Sequence, residues 1–134
     1  MRVRDLMTSV VYSLTPRDDL FAAQNLMDEH NIRHVPVVDR DQDLVGLVTM
    51  RDLLGARSPR EDDLPLEMRE AKLHDMRVGE LMAEEVATVE PDDDLRFAAR
   101  LMLDNKFGCL PVVQGSRLTG ILTEADFVRY MAED

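Results

Sequence analysis

The sequence predicts an α/β fold in which a β-α-β-β-α unit occurs twice along a chain of 134 residues. Three observations support this prediction: an internal repeat, a helical spacing of apolar residues in each copy, and two β-rich runs after each helix. Because one copy alone would leave an apolar face uncovered, we expect the two copies to pack on each other as one globular module.

The repeat emerges when the chain is compared with itself at an offset of 75 residues, which places Val3 on Val78. The matched segments keep one order, and the second copy lacks a single residue in the loop between its two β-rich runs. They are residues 3–7 with 78–82, 16–20 with 91–95, 36–38 with 111–113, and 44–52 with 118–126. We therefore predict repeat 1 at residues 1–57, a linker at 58–77 with room for one exposed helix, and repeat 2 at 78–134.

Each copy has the same order of predicted elements. A short extended segment, at residues 10–13 or 86–89, leads into a helix that begins with acidic residues, as the helix dipole favours. The helices carry regularly spaced apolar residues, which are Leu20, Ala23, Leu26 and Met27 in the first copy and Leu95, Ala98, Leu101 and Met102 in the second. Strands are predicted at residues 35–38, 44–49, 110–113 and 118–123, and a last helix begins at Thr49 or Thr123.

Composition argues against several classes of function. The net charge of −11 disfavours nucleic acid and anionic membranes, because both require clustered Lys and Arg. The apolar stretches are shorter than the ~18 residues of a membrane span, and the first residues lack the apolar core of a secretory signal. A single cysteine, Cys109, cannot form an internal disulfide. We therefore expect a cytoplasmic protein with no nucleic-acid or membrane partner.

The repeated motif has four parts in a fixed order, where x is any residue and h is a hydrophobic one. They are D-x-M-T, the helix start P-x-D-x-L, the strand h-P-V-V-D and a final L-x-G-h-h-T-x-x-D. In the first copy its residues are Asp5, Met7, Thr8, Val11, Pro16, Asp18, Leu20, Ala23, Leu26, Met27, residues 36–39, Leu44, Gly46, Thr49 and Asp52. The second copy carries nearly all of them. This ordered set resembles the CBS domain, named after cystathionine β-synthase, and a tandem pair of such domains is called a Bateman module.

The resemblance implies an arrangement and a function. The two repeats would pair around a pseudo-twofold axis and leave two clefts, which in this family often hold AMP, ADP, ATP or S-adenosylmethionine. CBS pairs commonly form disc-like homodimers and regulate another protein, which for this chain would be a separate target that the sequence does not identify. No cofactor is required for such a role.

The resemblance also assigns the site residues. Thr49 with Asp52, and Thr123 with Asp126, would hold the sugar and phosphate of two ligands, since a carboxylate can accept hydrogen bonds from both ribose hydroxyls and a helix start favours phosphate. The residues that would frame the adenine are Ser9, Val10, Val11, His34, Val35, Cys109 and Leu110. Arg51, beside Thr49 in the sequence, would add a positive charge for the phosphate. Residues 84–86 are the second-copy equivalents of residues 9–11.

The two sites are expected to differ in charge. The first copy places several basic residues around Thr49, which are Arg33, His34, Arg51, Arg57 and Arg60. The second copy has Ala125, Gly108 and Cys109 at the matching positions, and it has Glu84 and Glu85 in place of Ser9 and Val10. Because carboxylates repel a phosphate, we expect the first copy's site to suit a phosphorylated ligand better, although either cleft can borrow residues from the opposite copy.

Several alternatives remain open at this level. Thr followed by Asp three residues later is also a capping box, a purely structural device, and the pair could serve as a ligand-free dimerisation adaptor. An enzyme would require a poised acid or base, and the sequence offers no candidate, so we predict no catalytic residue. His30, His34 and His74 lack the additional ligands of a metal site, and Cys109 has no base beside it, which favours a buried thiol.

Overall fold

The computed structural model of the chain describes residues 1–56 and 64–133. Its helices are α1 (Val3–Leu6), α2 (Leu20–His30), α3 (Met50–Gly55), α4 (Leu66–Asp75), α5 (Val78–Leu81), α6 (Leu95–Asn105) and α7 (Glu124–Ala132). Its strands are β1 (His34–Val38), β2 (Leu44–Thr49), β3 (Cys109–Gln114) and β4 (Arg117–Thr123). The mixed α/β fold with two equivalent sets of elements is confirmed.

The predicted element boundaries agree closely with the observed ones. Strand β2 spans the predicted residues, and β1, β3 and β4 are each longer by one or two residues. Helices α3 and α7 begin directly after Thr49 and Thr123, which are their N-caps. Helices α1 and α5 were not predicted, because four residues are too few to show a helical period.

The chain divides into two compact units, and neither is one contiguous repeat. The first-repeat unit consists of Tyr12–Arg40 and Val45–Glu85, and the second-repeat unit consists of Met1–Val11, Asp41–Leu44 and Val86–Asp134. The segment that opens each repeat, with its short helix α1 or α5, therefore belongs to the unit built around the other repeat. The compact units therefore group residues differently from the two repeats of the sequence.

The first-repeat unit is built on the two-stranded sheet of β1 and β2. Leu14 adds a short parallel bridge to Val37 of β1. Helix α2 covers the sheet with the predicted face of Leu20, Ala23 and Met27, all of which are buried. The core is completed by Leu14, Val35, Val37, Val48, Leu53 and Val78. Each fully buried aliphatic side chain contributes about 1.5–3 kcal/mol, so this cluster accounts for much of the unit's stability.

The second-repeat unit repeats this plan with β3 and β4, which pair antiparallel from Cys109 with Thr123 to Gln114 with Arg117. Val89 bridges in parallel to Val112 of β3, as Leu14 does in the other unit. The core of this unit consists of Val3, Val89, Leu95, Ala98, Met102, Leu110, Val112 and Leu122. Val3 comes from α1, so the opening segment of the chain is part of this core.

Helix α4 lies in the predicted linker, at Leu66–Asp75, and none of its residues is buried. Arg57 and Arg60, which the sequence analysis added to a basic patch, lie outside the described residues. Across residues 1–56 and 64–133, the helices are too short or too polar for a membrane-spanning segment.

Candidate functional site

The two Thr-x-x-Asp motifs form equivalent turns between a strand and a helix. The backbone N–H of Thr49 donates to Oδ2 of Asp52 at 2.8 Å, and the N–H of Asp52 donates to Oγ1 of Thr49 at 3.2 Å. The same two bonds join Thr123 and Asp126, at 2.9 Å and 3.4 Å. Each turn is therefore a complete capping box, so the structural role considered in the sequence analysis is real at both positions.

The carboxylate of Asp126 has further partners. Its Oδ1 accepts from the hydroxyl of Thr8 at 3.1 Å and from Nη1 of Arg129 at 3.2 Å. Its Oδ2 also accepts from Oγ1 of Thr123 at 3.2 Å. Asp126 is only 4% exposed, whereas Asp52 is half-buried. The two motif carboxylates therefore lie in different surroundings despite identical local turns.

Thr8 reaches Asp126 because the opening segment of the chain pairs with β4. The backbones of Thr8 and Ile121 exchange two hydrogen bonds, of 2.9 Å and 3.0 Å. Ala83 and Leu47 form the equivalent pair in the first-repeat unit, with bonds of 2.9 Å and 3.0 Å. The opening segment of each repeat therefore lies beside the Thr-x-x-Asp turn of the other repeat.

Glycine makes this close approach possible. A Cβ on Gly46 would lie 2.6 Å from Sδ of Met82 and 2.9 Å from the carbonyl oxygen of Ala83. A Cβ on Gly120 would lie 2.7 Å from Sδ of Met7. The two motif glycines therefore allow the opening segment of each repeat to pair closely with β2 or β4.

This pairing changes the charge assignment made from the sequence. Glu84 and Glu85 directly follow Ala83 and belong to the first-repeat unit, with Thr49 and Asp52. Both glutamates are exposed. The unit that contains Arg33 and Arg51 therefore also contains the two acids, which favours placing Glu84 and Glu85 with the Thr49 turn rather than with the Thr123 turn.

The second-repeat unit receives the uncharged segment instead. Ser9, Val10 and Val11 follow Thr8 and lie in the unit that contains Thr123 and Asp126. Ser9 and Val10 are exposed.

The residues proposed to frame a base lie at the start of β1 and β3. The N–H of Met50 donates to the carbonyl of Arg33 at 2.9 Å, which brings the residue before His34 next to the start of α3. Val35 and Leu110 are completely buried in the two cores, so their side chains do not face solvent.

Cys109 opens β3 and is buried, with 5% exposure. Burial raises the pKa of its thiol to about 12. The expectation of a buried thiol is therefore confirmed, since a thiol with this pKa carries almost no thiolate near neutral pH.

Two of the three histidines have aromatic neighbours. His30 stacks on Tyr12 with 3.7 Å between ring centroids, and His74 contacts the ring of Phe21 and the carboxylate of Asp19. Within the described part of the chain, the side chains of His, Cys, Asp and Glu form no group of three or more that could hold a metal ion.

The roles of Thr8 and Arg129 were not predicted from the sequence. Thr8 was noted as part of the D-x-M-T motif, but its partner Asp126 lies 118 residues away. Arg129 follows Asp126 by three residues, a helical spacing at which opposite charges meet. This spacing was visible in the sequence, whereas the contact with Thr8 was not.

Comparison with known proteins gives close matches over nearly the whole chain. AcuB from Vibrio cholerae is 34% identical and superposes with a TM-score of 0.85, over 99% of this chain and 91% of AcuB. CBSX2 from Arabidopsis thaliana, in a structure of its complex with AMP, is 32% identical with a TM-score of 0.81, over 98% and 96% of the two chains.

Curated sequences extend the comparison. A 17.7 kDa protein from Acidianus ambivalens is 29% identical over 98% of this chain and 74% of its own length. Other curated relatives are longer, and this chain spans 23% to 43% of their length. The family model for the CBS domain matches residues 3–59 and 78–133. The chain therefore belongs to the CBS domain family and carries two CBS domains in tandem.

Proposed function

We propose that this protein is a regulatory sensor that binds an adenosine-type nucleotide at its Thr-x-x-Asp turns and signals to a separate target protein. The ligand is AMP, ADP, ATP or S-adenosylmethionine. CBSX2, 32% identical over 98% of this chain, has been solved in complex with AMP. Its likeness over both domains supports an adenosine ligand for this chain.

The carboxylate of Asp52 carries the proposal. Its Oδ2 is held by the N–H of Thr49, which fixes the side chain beside the strand-to-helix turn. Among residues 1–56 and 64–133, no donor is found for its Oδ1, and the side chain is half-buried. A fixed carboxylate with a free oxygen suits the two hydroxyls of a ribose, because charge-assisted hydrogen bonds of this kind are strong.

Local charge bears on which nucleotide is bound. Arg33 and Arg51 share the first-repeat unit with Glu84 and Glu85, so their positive charge is offset within the same unit. A ligand with few negative charges meets less repulsion there than a triphosphate does. We therefore expect AMP or S-adenosylmethionine to bind at Asp52 more tightly than ATP.

The protein would act by linkage and without catalysis. A ligand shifts an equilibrium between two arrangements only by its different affinity for them. The proposed readout is a homodimer whose altered arrangement the target protein recognises.

A ligand-free adaptor is the second candidate, and one observation favours it. Helices α6 and α7 of the second-repeat unit carry apolar side chains that are at least half exposed, which are Phe97, Leu103, Val128, Tyr130 and Met131. Exposed apolar groups of this kind suit contact with a second copy of the chain. An adaptor would keep its oligomeric state and bind no nucleotide.

Calorimetric titration with AMP, S-adenosylmethionine and ATP tests the proposal on the wild type and on Asp52→Ala. We expect Asp52→Ala to weaken binding at least tenfold. Asp18→Ala is the matched control, since Asp18 accepts an equivalent bond from the N–H of Thr15 at 2.8 Å but lies outside the Thr-x-x-Asp turns. Absence of heat with all three ligands, with a stable oligomer in light scattering, would establish the adaptor instead.

A further inference from the structure

We infer that the two nucleotide sites are unequal, because Thr8 and Arg129 donate to the carboxylate of Asp126, whereas no donor among residues 1–56 and 64–133 reaches Oδ1 of Asp52. This inference rests on the proposed function and specifies how its two sites differ. A ribose binds at Asp52 without rearrangement, and it binds at Asp126 only after displacing the two donors. We call the bonds from Thr8 and Arg129 to Asp126 the carboxylate latch.

The hydrogen bonds of Asp126 fill its acceptor capacity. A carboxylate has about four lone-pair positions. Thr8 and Arg129 occupy Oδ1, and the N–H and hydroxyl of Thr123 occupy Oδ2. With 4% exposure, the residue also has almost no contact with solvent. A ribose diol arriving at this carboxylate therefore finds no free acceptor.

The first-repeat unit lacks both parts of the latch. Ala83 pairs with Leu47 just as Thr8 pairs with Ile121, so Ala83 occupies the position of Thr8 but has no hydroxyl. Gly55 follows Asp52 by three residues, as Arg129 follows Asp126, and it has no side chain to donate. The backbone arrangement is thus the same in the two units, and two side chains account for the difference.

The latch can open without disturbing a core. The side chain of Arg129 is 58% exposed, and Thr8 is exposed as well. Both donors can exchange Asp126 for water when a ligand takes their place. We therefore expect weaker binding at Asp126 rather than complete exclusion.

The test compares stoichiometry in wild type and a latch variant by calorimetric titration with AMP. We expect the wild type to bind one AMP per chain tightly, with loss of this binding in Asp52→Ala. Thr8→Ala/Arg129→Ala should bind a second AMP, with affinity at Asp126 raised at least tenfold. The converse variant, Ala83→Thr/Gly55→Arg, should weaken binding at Asp52 at least tenfold. Among residues 1–56 and 64–133, no atom lies within 4 Å of a Cβ built on Gly55, so a side chain can begin there.

Two controls separate the latch from general effects on the fold. Thr8→Ser keeps the hydroxyl and should behave as wild type does. Arg96→Ala removes an exposed arginine from α6, outside the latch, and should leave the stoichiometry unchanged. Two equal sites in the wild type, or a latch variant that still binds a single AMP, would overturn the inference while leaving the proposed function standing.

A second readout does not depend on nucleotide. Carbodiimide with glycine ethyl ester labels accessible carboxylates, and peptide mass spectrometry locates the label. Asp126 should react several-fold more slowly than Asp52 in the wild type, and Thr8→Ala/Arg129→Ala should remove the difference. Equal labelling in the wild type overturns the latch. If Asp126 is labelled more slowly than Asp52 but the protein binds no AMP, the proposed function is wrong and only the closed state of Asp126 is supported.

Discussion

Nδ1 of His74 lies 2.9 Å from Oδ2 of Asp19, and this contact joins the linker helix α4 to the start of α2. The imidazole also contacts the ring of Phe21, with 4.3 Å between centroids. Asp19 is the N-cap of α2 and accepts from the N–H of Ala22 at 2.8 Å. One carboxylate therefore caps a helix of the first-repeat unit and holds the linker helix against it.

Asp19→Ala should lower the free energy of unfolding at pH 7 by about 0.5–2 kcal/mol, the usual effect of losing an N-cap. Chemical denaturation measures the change. Asp94→Ala is the matched control, because Asp94 is the N-cap of α6 but its side chain makes no capping hydrogen bond. An equal loss of stability in the two variants would contradict the role assigned to Asp19.

The difference between wild type and Asp19→Ala should also depend on pH. Burial acts to raise the pKa of Asp19, but its bond from Ala22 and its contact with His74 outweigh burial and leave the pKa below its usual value. The stabilisation is therefore complete above the unfolded-state pKa of about 3.9 and is lost as pH falls through the lower folded-state pKa. Denaturation between pH 7 and pH 2.5 should show the two proteins converging at the acid end.

Gly46→Ala should destabilise the first-repeat unit by about 1–3 kcal/mol, as overpacking does. Its new Cβ would meet the carbonyl oxygen of Ala83 at 2.9 Å, a backbone atom that cannot move away cheaply. Gly120→Ala should lower the free energy of unfolding by less, because the equivalent oxygen of Thr8 is 3.1 Å from the new Cβ. Thermal unfolding measures both changes.

Gly55→Ala is the control for these glycine variants. Gly55 ends helix α3, and no atom of the described residues lies within 4 Å of a Cβ built there. Alanine should stabilise the helix by about 0.5–1 kcal/mol, since glycine loses more backbone entropy on folding. If all three variants behaved alike, close strand contact would not be the reason for glycine at positions 46 and 120.

Asp126→Ala should be more destabilising than Asp52→Ala in the absence of any ligand. Asp52→Ala removes a capping box, with an expected loss of about 1 kcal/mol. Asp126→Ala also removes the bonds that Thr8 and Arg129 donate to Oδ1, and exposed charged pairs contribute about 0.2–1 kcal/mol because water can replace the lost acceptor. Urea denaturation of the two variants without nucleotide measures the difference, and equal losses would count against the bonds to Oδ1.

Cys109 should react slowly with iodoacetamide in the folded protein and rapidly after unfolding in guanidinium chloride. Burial raises the pKa of its thiol to about 12, so its rate should keep rising from pH 8 to pH 10. Cys109→Ser/Ser116→Cys places a thiol at an exposed turn as the control. The rate of that thiol should level off above a pKa of about 8.5. Matching pH profiles would show that Cys109 is accessible.

The sequence alone determined the local elements of this protein. Helix α2 follows from the spacing of Leu20, Ala23 and Met27, and strand β2 has the predicted boundaries. The capping boxes at Thr49 and Thr123 join residues only three apart, so they too could be read from the order of residues. Helices α1 and α5 could not be predicted, because a helix of a single turn is too short to show a repeating pattern.

Only the tertiary structure decided which opening segment pairs with the strand that leads into each Thr-x-x-Asp turn. The two segments carry equivalent methionines, Met7 and Met82, and face equivalent glycines, so sequence pattern cannot distinguish pairing within a repeat from pairing with the other repeat. Pairing with the other repeat places Thr8 on Asp126 across 118 residues and leaves Ala83 near the turn of Asp52. Hydrogen bonds between distant residues depend on how the chain folds back, and this is why the unequal surroundings of the two carboxylates appear only in three dimensions.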